Sequence, residues 1–186
     1  MKFCSQCGAE IVLIIPDDDN RHRHVCSVCA TVHYVNPKIV AGCLPEFDDK
    51  ILMCKRAIEP RSGYWTLPAG FMELGETATE AAVRETLEEA NARVTIINLY
   101  CVFSLPHVNQ VYMMYRAKLA DTDFSAGAES LEVRLFDETD IPWGDLAFAT
   151  IRETLKFYLT DRTRGQYPVH TGDIIRDGNS YRFNSL

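Results

Sequence analysis

Residues Gly70–Ala92 read GFMELGETATEAAVRETLEEANA, and the acidic residues of this stretch decide the fold. Glu85, Glu88 and Glu89 stand at i, i+3 and i+4, so on a helix their carboxylates share one patch. Carboxylates held this close repel one another unless they are protonated or neutralised. A solvated acidic face is the ordinary alternative for glutamates at this spacing, whereas a hard divalent cation gives a reason to cluster them. The pattern therefore predicts a helix that carries a metal site.

The limits of this helix follow from its flanking residues. Thr77 and Glu80 have the spacing of a capping box, and Asn91 is suited to a left-handed C-cap. A helical period of 100° per residue predicts one apolar face, which we expect to pack on a sheet. The residues of that face are Val83, Thr86, Leu87 and Ala90.

The signal extends beyond the helix and resembles the Nudix hydrolase signature, GX5EX7REUXEEXGU. The matching positions are Gly70, Glu76, Arg84, Glu85, Glu88 and Glu89. Thr86 stands where a bulky aliphatic residue is usual, and Asn91 replaces the second glycine. Neither departure removes a carboxylate, so we expect an active enzyme.

The resemblance implies an α+β fold, a Nudix α/β/α sandwich with a mixed sheet. It also implies that Mg²⁺ or Mn²⁺ is bound by Glu85, Glu88 and Glu89 together with the backbone carbonyl of Gly70. Glu76 and Arg84 are expected to form a supporting ion pair. Ligands that are all oxygen atoms favour these cations over zinc.

Residues outside the signature are candidates for the remaining roles. In similar ADP-ribose pyrophosphatases the general base is often a loop glutamate, which here implies Glu129, with Glu132 as the reserve. Arg56 and Arg61 precede the signature and are candidate phosphate contacts, although single arginines near a turn are usually only solvated. Three aromatic residues of strands are candidates for lining a base-binding cleft, although strand aromatics are more often core. These three are Phe103, Tyr112 and Tyr115.

Four cysteines near the N-terminus form two CxxC pairs, Cys4–Cys7 and Cys26–Cys29. This spacing predicts a small zinc ribbon in which four thiolates close a structural Zn²⁺ site. A redox pair or disulfides are the alternatives, but the seven cysteines are odd in number and no secretory leader is evident. We therefore expect a reducing, cytoplasmic setting. The nearby histidines are expected to be surface residues.

The charge and length of the chain limit its possible partners and its division into segments. The chain of 186 residues has a net charge of −7 and lacks a basic stripe in its first 34 residues, which argues against nucleic acid as a partner. No apolar run reaches membrane-spanning length. Three segments are predicted: the zinc ribbon at 1–34, the catalytic domain at 35–161 and a loosely attached polar tail at 162–186.

Three functions remain open at this point. The segments IEPRSGYWTLPAGFME, RETLEEA and ESLEVRLF are similar to plant-type FAD/ADP-ribose pyrophosphatases. This similarity implies Mg²⁺-dependent cleavage of FAD or ADP-ribose to release AMP. The ribbon-plus-Nudix layout resembles bacterial NADH pyrophosphatase and implies NADH or NAD-capped RNA instead, but Phe103–Gln110 lacks that family's SQPWPFPxS array. A nucleotide-sensing adaptor without catalysis is the third, and a homodimer is possible in each case.

Overall fold

The computed structural model describes residues 1–178 and 180–185. The chain divides into two compact units, and the second begins at Lys38. No helix in the described part of the chain is both long enough and apolar enough to cross a membrane.

The first unit is a three-stranded antiparallel sheet, counted over its described residues. Its strands are β1 (Ile11–Ile14), β2 (Arg23–Cys26) and β3 (Val32–His33). Cys4 and Cys7 precede β1, Cys26 is the last residue of β2, and Cys29 lies in the turn that follows β2. This is the arrangement that the cysteine spacing predicts.

The second unit is built on a mixed sheet with two α-helices among the described residues. Its elements in chain order are β4 (Lys38–Phe47), β5 (Lys50–Arg56), β6 (Trp65–Thr66), β7 (Ala69–Phe71), α1 (Ala78–Ala90), β8 (Val94–Leu105), β9 (Gln110–Leu119), β10 (Ser130–Phe136), α2 (Ala149–Arg164), β11 (His170–Asp177) and β12 (Ser180–Ser185). The sheet order is β10-β5-β4-β9-β8-β11-β12, with β6 added to β5 and β7 to β4. β4 pairs with β9 and β8 with β11 in parallel, while the other pairs are antiparallel.

The two helices cover opposite faces of this sheet. Consecutive residues of a strand point to opposite faces, and on β4 the side chain of Cys43 packs with Ala81 and Ala82 of α1. Its neighbour Leu44 packs in the larger core cluster, which contains Ile151 of α2. The expected α+β sandwich with a mixed sheet is therefore confirmed.

Helix α1 begins and ends as predicted, but its buried face differs. Thr77 and Glu80 form the capping box, and Asn91 takes the left-handed conformation with φ of 48°. The predicted apolar face is wrong for two residues, since Leu87 is 49% exposed and Val83 is only half-buried. The face that packs on the domain is formed by Ala81, Ala82, Thr86, Glu89 and Ala90. Small alanines let the helix approach the sheet closely, and this approach carries a glutamate into the interior.

The predicted polar tail is also wrong. Helix α2 continues to Arg164, and β11 and β12 then extend the sheet beyond β8. His170 attaches this segment to the domain, since its Nε2 atom lies 2.6 Å from the Asp161 carboxylate, which also accepts a hydrogen bond from Tyr100 at 2.7 Å. Phe183 packs edge-on against Phe103 with ring centroids 5.5 Å apart. The polar composition of this segment gave no sign of the two strands, of whose described residues only Ile174 and Phe183 pack on the main core. Asn179 and Leu186, which also fall in the predicted tail, lie outside the described residues.

Candidate active site and metal centres

Strand β7 and helix α1 meet at Gly70. β7 pairs with β4 in the register Gly70 to Ala41, and this pairing presents the backbone at Gly70 to α1. A Cβ atom at Gly70 would lie 2.2 Å from Glu85 Oε2. Only glycine therefore allows the loop backbone and the Glu85 carboxylate to come this close, and this cradle suits a cation shared between them.

Glu89 is the buried member of the carboxylate cluster, with 6% of its surface exposed. Its Oε2 atom has no hydrogen-bond partner among residues 1–178 and 180–185. Burial raises the pKa of Glu89 to about 8, and repulsion from Glu85 adds to this, while the charge of Arg56 opposes it. A buried carboxylate with an unpaired oxygen costs free energy, so the arrangement fits a group that binds a ligand.

Arg84 holds the cluster from the solvent side. Its guanidinium donates to Glu76 at 2.8 and 3.0 Å, which confirms the predicted ion pair and lowers the pKa of Glu76 to about 2. It also donates to Glu85 at 2.8 Å and to Glu88 at 3.1 Å. A further bond to the Phe71 carbonyl ties the same side chain to the end of β7. Sequence reasoning anticipated only the first of these contacts.

The donor set fits a hard divalent cation. Three carboxylates and the Gly70 carbonyl are all oxygen donors, which suits Mg²⁺ or Mn²⁺. Burial raises the pKa of Glu85 above its usual range, although Arg84 opposes the shift, and the charges of Glu88 and Glu129 add to it. The negative charge collected here is what a cation would neutralise.

Glu129 belongs to the same site and Glu132 does not. Glu129 lines the cavity in front of α1, and its charge raises the pKa of Glu89. Its loop is attached on two sides: Ala57 N donates to the Glu129 carbonyl at 2.8 Å and Gly127 N donates to the Glu89 carbonyl at 3.0 Å. Glu132 instead lies exposed on β10, opposite Lys55. Of the two candidate bases, the structure brings Glu129 to the carboxylates.

The Asn91 side chain fixes the same loop. Its Nδ2 atom donates to the Ser125 hydroxyl at 3.1 Å and lies 3.3 Å from the Ser125 and Ala126 carbonyls. Gly127 lies in direct contact with the C-terminal end of α1, since a Cβ atom at this position would lie 1.8 Å from the Glu88 carbonyl oxygen. The asparagine that departs from the signature thus connects α1 to the loop that carries Glu129.

A cavity of about 980 Å³ opens in front of these carboxylates. Both predicted arginines line it: Arg56 lies 5.1 Å above the Phe148 ring and Arg61 lies 5.3 Å above the Tyr64 ring. Sequence reasoning missed several lining residues because elements distant in the chain supply them. These are Gln110 from β9, His107 from the β8–β9 connection, Phe148 and Thr150 from the start of α2, and Ile174 and Tyr181 from β11 and β12.

The three aromatic residues that were candidates for lining a base-binding cleft lie in different parts of the domain. Tyr112 lines the cavity, as expected. Phe103 is fully buried in the main core, and Tyr115 is buried on the α1 side of the sheet, so neither reaches a ligand. Trp65 is likewise a core residue, packed edge-on against Phe136 at 4.7 Å.

The four N-terminal cysteines form a second candidate metal centre. Their sulfur atoms all lie within 4.8 Å of one another, and the shortest separations are 3.4, 3.6 and 3.7 Å. Four ligands about 2.3 Å from a tetrahedral zinc ion are about 3.8 Å apart, so the spacing fits. Hydrogen bonds from Thr31 lower the pKa of Cys29 to about 6, which favours the thiolate that binds metal. His33, which was expected to be a surface residue, is partly buried, and its Nε2 atom lies 3.3 Å from Cys4 Sγ.

Comparison with family models assigns both units. Residues 2–35 match the Nudix N-terminal zinc-ribbon model, and residues 36–157 match the NUDIX domain model. The crystal structure of a NUDIX hydrolase from Nitrosomonas europaea superposes with a TM-score of 0.92 and 58% sequence identity, covering 95% of this chain and 100% of that one.

Two curated relatives carry names that describe an activity. An ADP-ribose pyrophosphatase of Methanocaldococcus jannaschii is 33% identical over 115 residues, 59% of this chain and 67% of the relative. The NAD-capped RNA hydrolase NudC of Vibrio vulnificus is 29% identical over 167 residues, 83% of this chain and 59% of the relative. This chain therefore spans about three-fifths of the length of that second relative.

Proposed function

This chain belongs to the NUDIX domain family, and on that premise we propose that it hydrolyses the phosphoanhydride bond of a nucleoside diphosphate derivative. The proposed substrate is ADP-ribose or FAD. The products would be AMP together with ribose 5-phosphate or FMN.

One observation carries this proposal: the buried Glu89 carboxylate, whose Oε2 atom has no partner among the described residues, lines a large cavity together with Glu85, and Arg56 and Arg61 line the same cavity. A diphosphate repels an attacking oxygen because of its concentrated negative charge. Arginine side chains offset part of that charge and orient phosphate oxygens through paired donors. A ligand-sensing domain without catalysis has no need of a carboxylate kept at this cost.

The cation would be Mg²⁺ or Mn²⁺, held by Glu85, Glu88, Glu89 and the Gly70 carbonyl, and it would supply Lewis-acid activation of the diphosphate and of water. Glu129 is the proposed general base. It accepts a proton from water as the water oxygen forms a bond to one phosphorus. The bond from that phosphorus to the bridging oxygen breaks, and the second phosphate leaves with the bridging oxygen. A general base in this position contributes about 10²–10⁴-fold to the rate.

The first unit is proposed to bind structural Zn²⁺ through Cys4, Cys7, Cys26 and Cys29. Four thiolates leave no open position for a substrate, so this site is separate from the chemistry. Its zinc would supply much of the folding free energy of a unit too small to bury a core.

ADP-ribose is favoured by the archaeal relative, whose name states that activity, and FAD by the similarity of three segments to plant-type enzymes. NADH or the NAD cap of an RNA is the second candidate, because the Vibrio vulnificus hydrolase of NAD-capped RNA is similar over 83% of this chain. A capped RNA is the less favoured of these because the chain has a net charge of −7.

The test is a substrate panel with purified protein: ADP-ribose, FAD, NADH and an NAD-capped RNA, each with Mg²⁺ and with EDTA. The proposal predicts Mg²⁺-dependent release of AMP, with the highest kcat/KM on ADP-ribose or FAD. The highest kcat/KM on NADH or on the capped RNA would establish the second candidate instead. Failure to release AMP from ADP-ribose, FAD and NADH, together with failure to release nicotinamide mononucleotide from the capped RNA, would contradict the hydrolase assignment.

A further inference from the structure

The two strands that follow α2 contribute a wall of the cavity. The NUDIX domain model ends at residue 157, whereas β11 begins at His170 and β12 at Ser180. Ile174 and Tyr181 from these strands line the same cavity as the carboxylates. The C-terminal strands are therefore part of the site as well as of the sheet.

Tyr181 continues a row of side chains on one face of β12. Side chains two residues apart share a face of a strand, so Tyr181 lies on the same face as Phe183. Phe183 is packed between Phe103 and Phe157, with ring centroids 5.5 and 5.6 Å away. Tyr181 lies beyond this packed group and keeps 49% of its surface exposed. Its ring is anchored by the strand but is open to the cavity.

His107 completes an aromatic pair at this end. It lies in the short 3₁₀ turn Pro106–Val108, and its ring centroid is 5.5 Å from that of Tyr181 at an angle of 45°. Both residues line the cavity and both are exposed. Two tilted rings at a cavity wall offer a face and an edge to a third ring.

The pair lies far from the carboxylates. β7, which holds Gly70, pairs with β4, and β4 is four strands away from β12 in the order β4-β9-β8-β11-β12. Neighbouring strands are about 4.8 Å apart, so the four steps from β4 to β12 amount to about 19 Å measured along the sheet. A substrate whose diphosphate lies at the carboxylates must extend across β9 and β8 to reach Tyr181.

We propose that Tyr181 and His107 form the subsite for the aromatic base of the nucleotide, and so determine which diphosphates bind. This subsite rests on the proposed function, since it supposes that the diphosphate lies at the carboxylates. Stacking on an aromatic side chain accepts any base through its π-face and contributes substantially to nucleotide affinity.

The test compares Tyr181→Ala and Tyr181→Phe with the wild-type protein on ADP-ribose. Tyr181→Ala should raise KM about ten-fold or more and change kcat by less than about three-fold, because the ring is remote from the reacting bond. Tyr181→Phe keeps the ring and should restore the wild-type KM. His107→Ala should also raise KM.

Arg182→Ala is the matched control, because Arg182 is the next residue of β12 and points to the opposite face. It should leave KM unchanged. An equal rise of KM in Arg182→Ala, or an unchanged KM in Tyr181→Ala, would overturn the subsite.

Calorimetric binding of AMP keeps the two proposals apart, since it needs no turnover. AMP affinity should fall about ten-fold in Tyr181→Ala and return in Tyr181→Phe. If the wild-type protein binds AMP through Tyr181 but cleaves no diphosphate, the proposed function fails and the subsite stands. If AMP binds the wild type and Tyr181→Ala equally, the subsite fails whatever the activity.

Discussion

At the scale of single residues, the site depends on how closely Gly70 and Glu85 approach each other. The signature requires a glycine here, and the structure gives the reason, since the position of a Cβ atom would fall on the Glu85 carboxylate. The glycine thus leaves space for a side chain fifteen residues later in the chain, and this need is separate from any requirement of the local backbone.

We expect Gly70→Ala to lower kcat by about 10²-fold, the effect of displacing a reacting group by about 1 Å. The new methyl group would push the Glu85 carboxylate aside. The free energy of unfolding should change by less than about 1 kcal/mol, because the displaced atoms are the end of a flexible side chain. Steady-state kinetics and urea denaturation measure the two effects.

Gly144→Ala is the matched control for this variant, because a Cβ atom at Gly144 has nothing within 4 Å among the described residues. It should match the wild type in both measurements. A Gly70→Ala protein with wild-type kcat would show that the Glu85 carboxylate need not stay where the structure places it.

Residue types at fixed spacing predicted the site better than they predicted its surroundings. The carboxylates, Gly70 and the Glu76–Arg84 pair could be read from the signature because one helix and one loop present them. The burial of Glu89 could not be read, since a helical period alone does not say which face alanines bring to the sheet. His107 and Tyr181 could not be assigned because strand order decides which distant segments meet.

At the scale of elements, the end of α1 positions the loop that carries Glu129, the proposed general base. Asn91 ends the helix in the left-handed conformation and its side chain holds Ser125 and Ala126. Glycine would satisfy only the first of these two tasks. The asparagine at this position therefore links α1, which carries the proposed metal ligands, to the loop that carries Glu129.

We expect Asn91→Gly to lower kcat about ten-fold, because the loop loses its side-chain hydrogen bonds while the helix end keeps its geometry. Affinity for Mg²⁺ should remain within about three-fold of the wild type, since Glu85, Glu88 and Glu89 are untouched. Kinetics and calorimetric Mg²⁺ titration test this. Equal losses of kcat and Mg²⁺ affinity would show that Asn91 acts through the helix instead of through the loop.

The C-terminal strands β11 and β12 are the elements for which amino-acid composition gave a wrong prediction. The composition of residues 162–186 predicts a tail instead of β11 and β12, because polar residues outnumber apolar ones there. Ile174 and Phe183, which fix these strands on the core, are too few to produce a strand signal on their own.

At the scale of the whole molecule, the two units are stabilised differently. The large core cluster lies within residues 38–185, whereas the described part of the first unit buries only Cys4, Val25 and Cys26 as apolar residues. Such a unit needs a metal to be stable. The cysteines of the ribbon therefore belong to its folding.

We expect about one Zn²⁺ per chain by mass spectrometry of the metal content, and loss of that zinc in Cys4→Ser. Zinc removal should expose the amides of β1 and β2 to hydrogen exchange, because the metal supplies most of the folding free energy there. The amides of β4 and β9, which lie in the second unit, should keep their protection and serve as the internal control. Zinc-free protein with protected β1 and β2, or with a disulfide at Cys4, would contradict this account.

The central claim is that three carboxylates of one helix hold a divalent cation at the base of the nucleotide cavity. Crystals soaked in Mn²⁺ test it most directly, because anomalous scattering locates the ion independently of activity. The account predicts a peak within about 2.3 Å of carboxylate oxygens of Glu85, Glu88 and Glu89 and of the Gly70 carbonyl. Manganese bound elsewhere on the protein, with those oxygens directed away from the cavity, would contradict it.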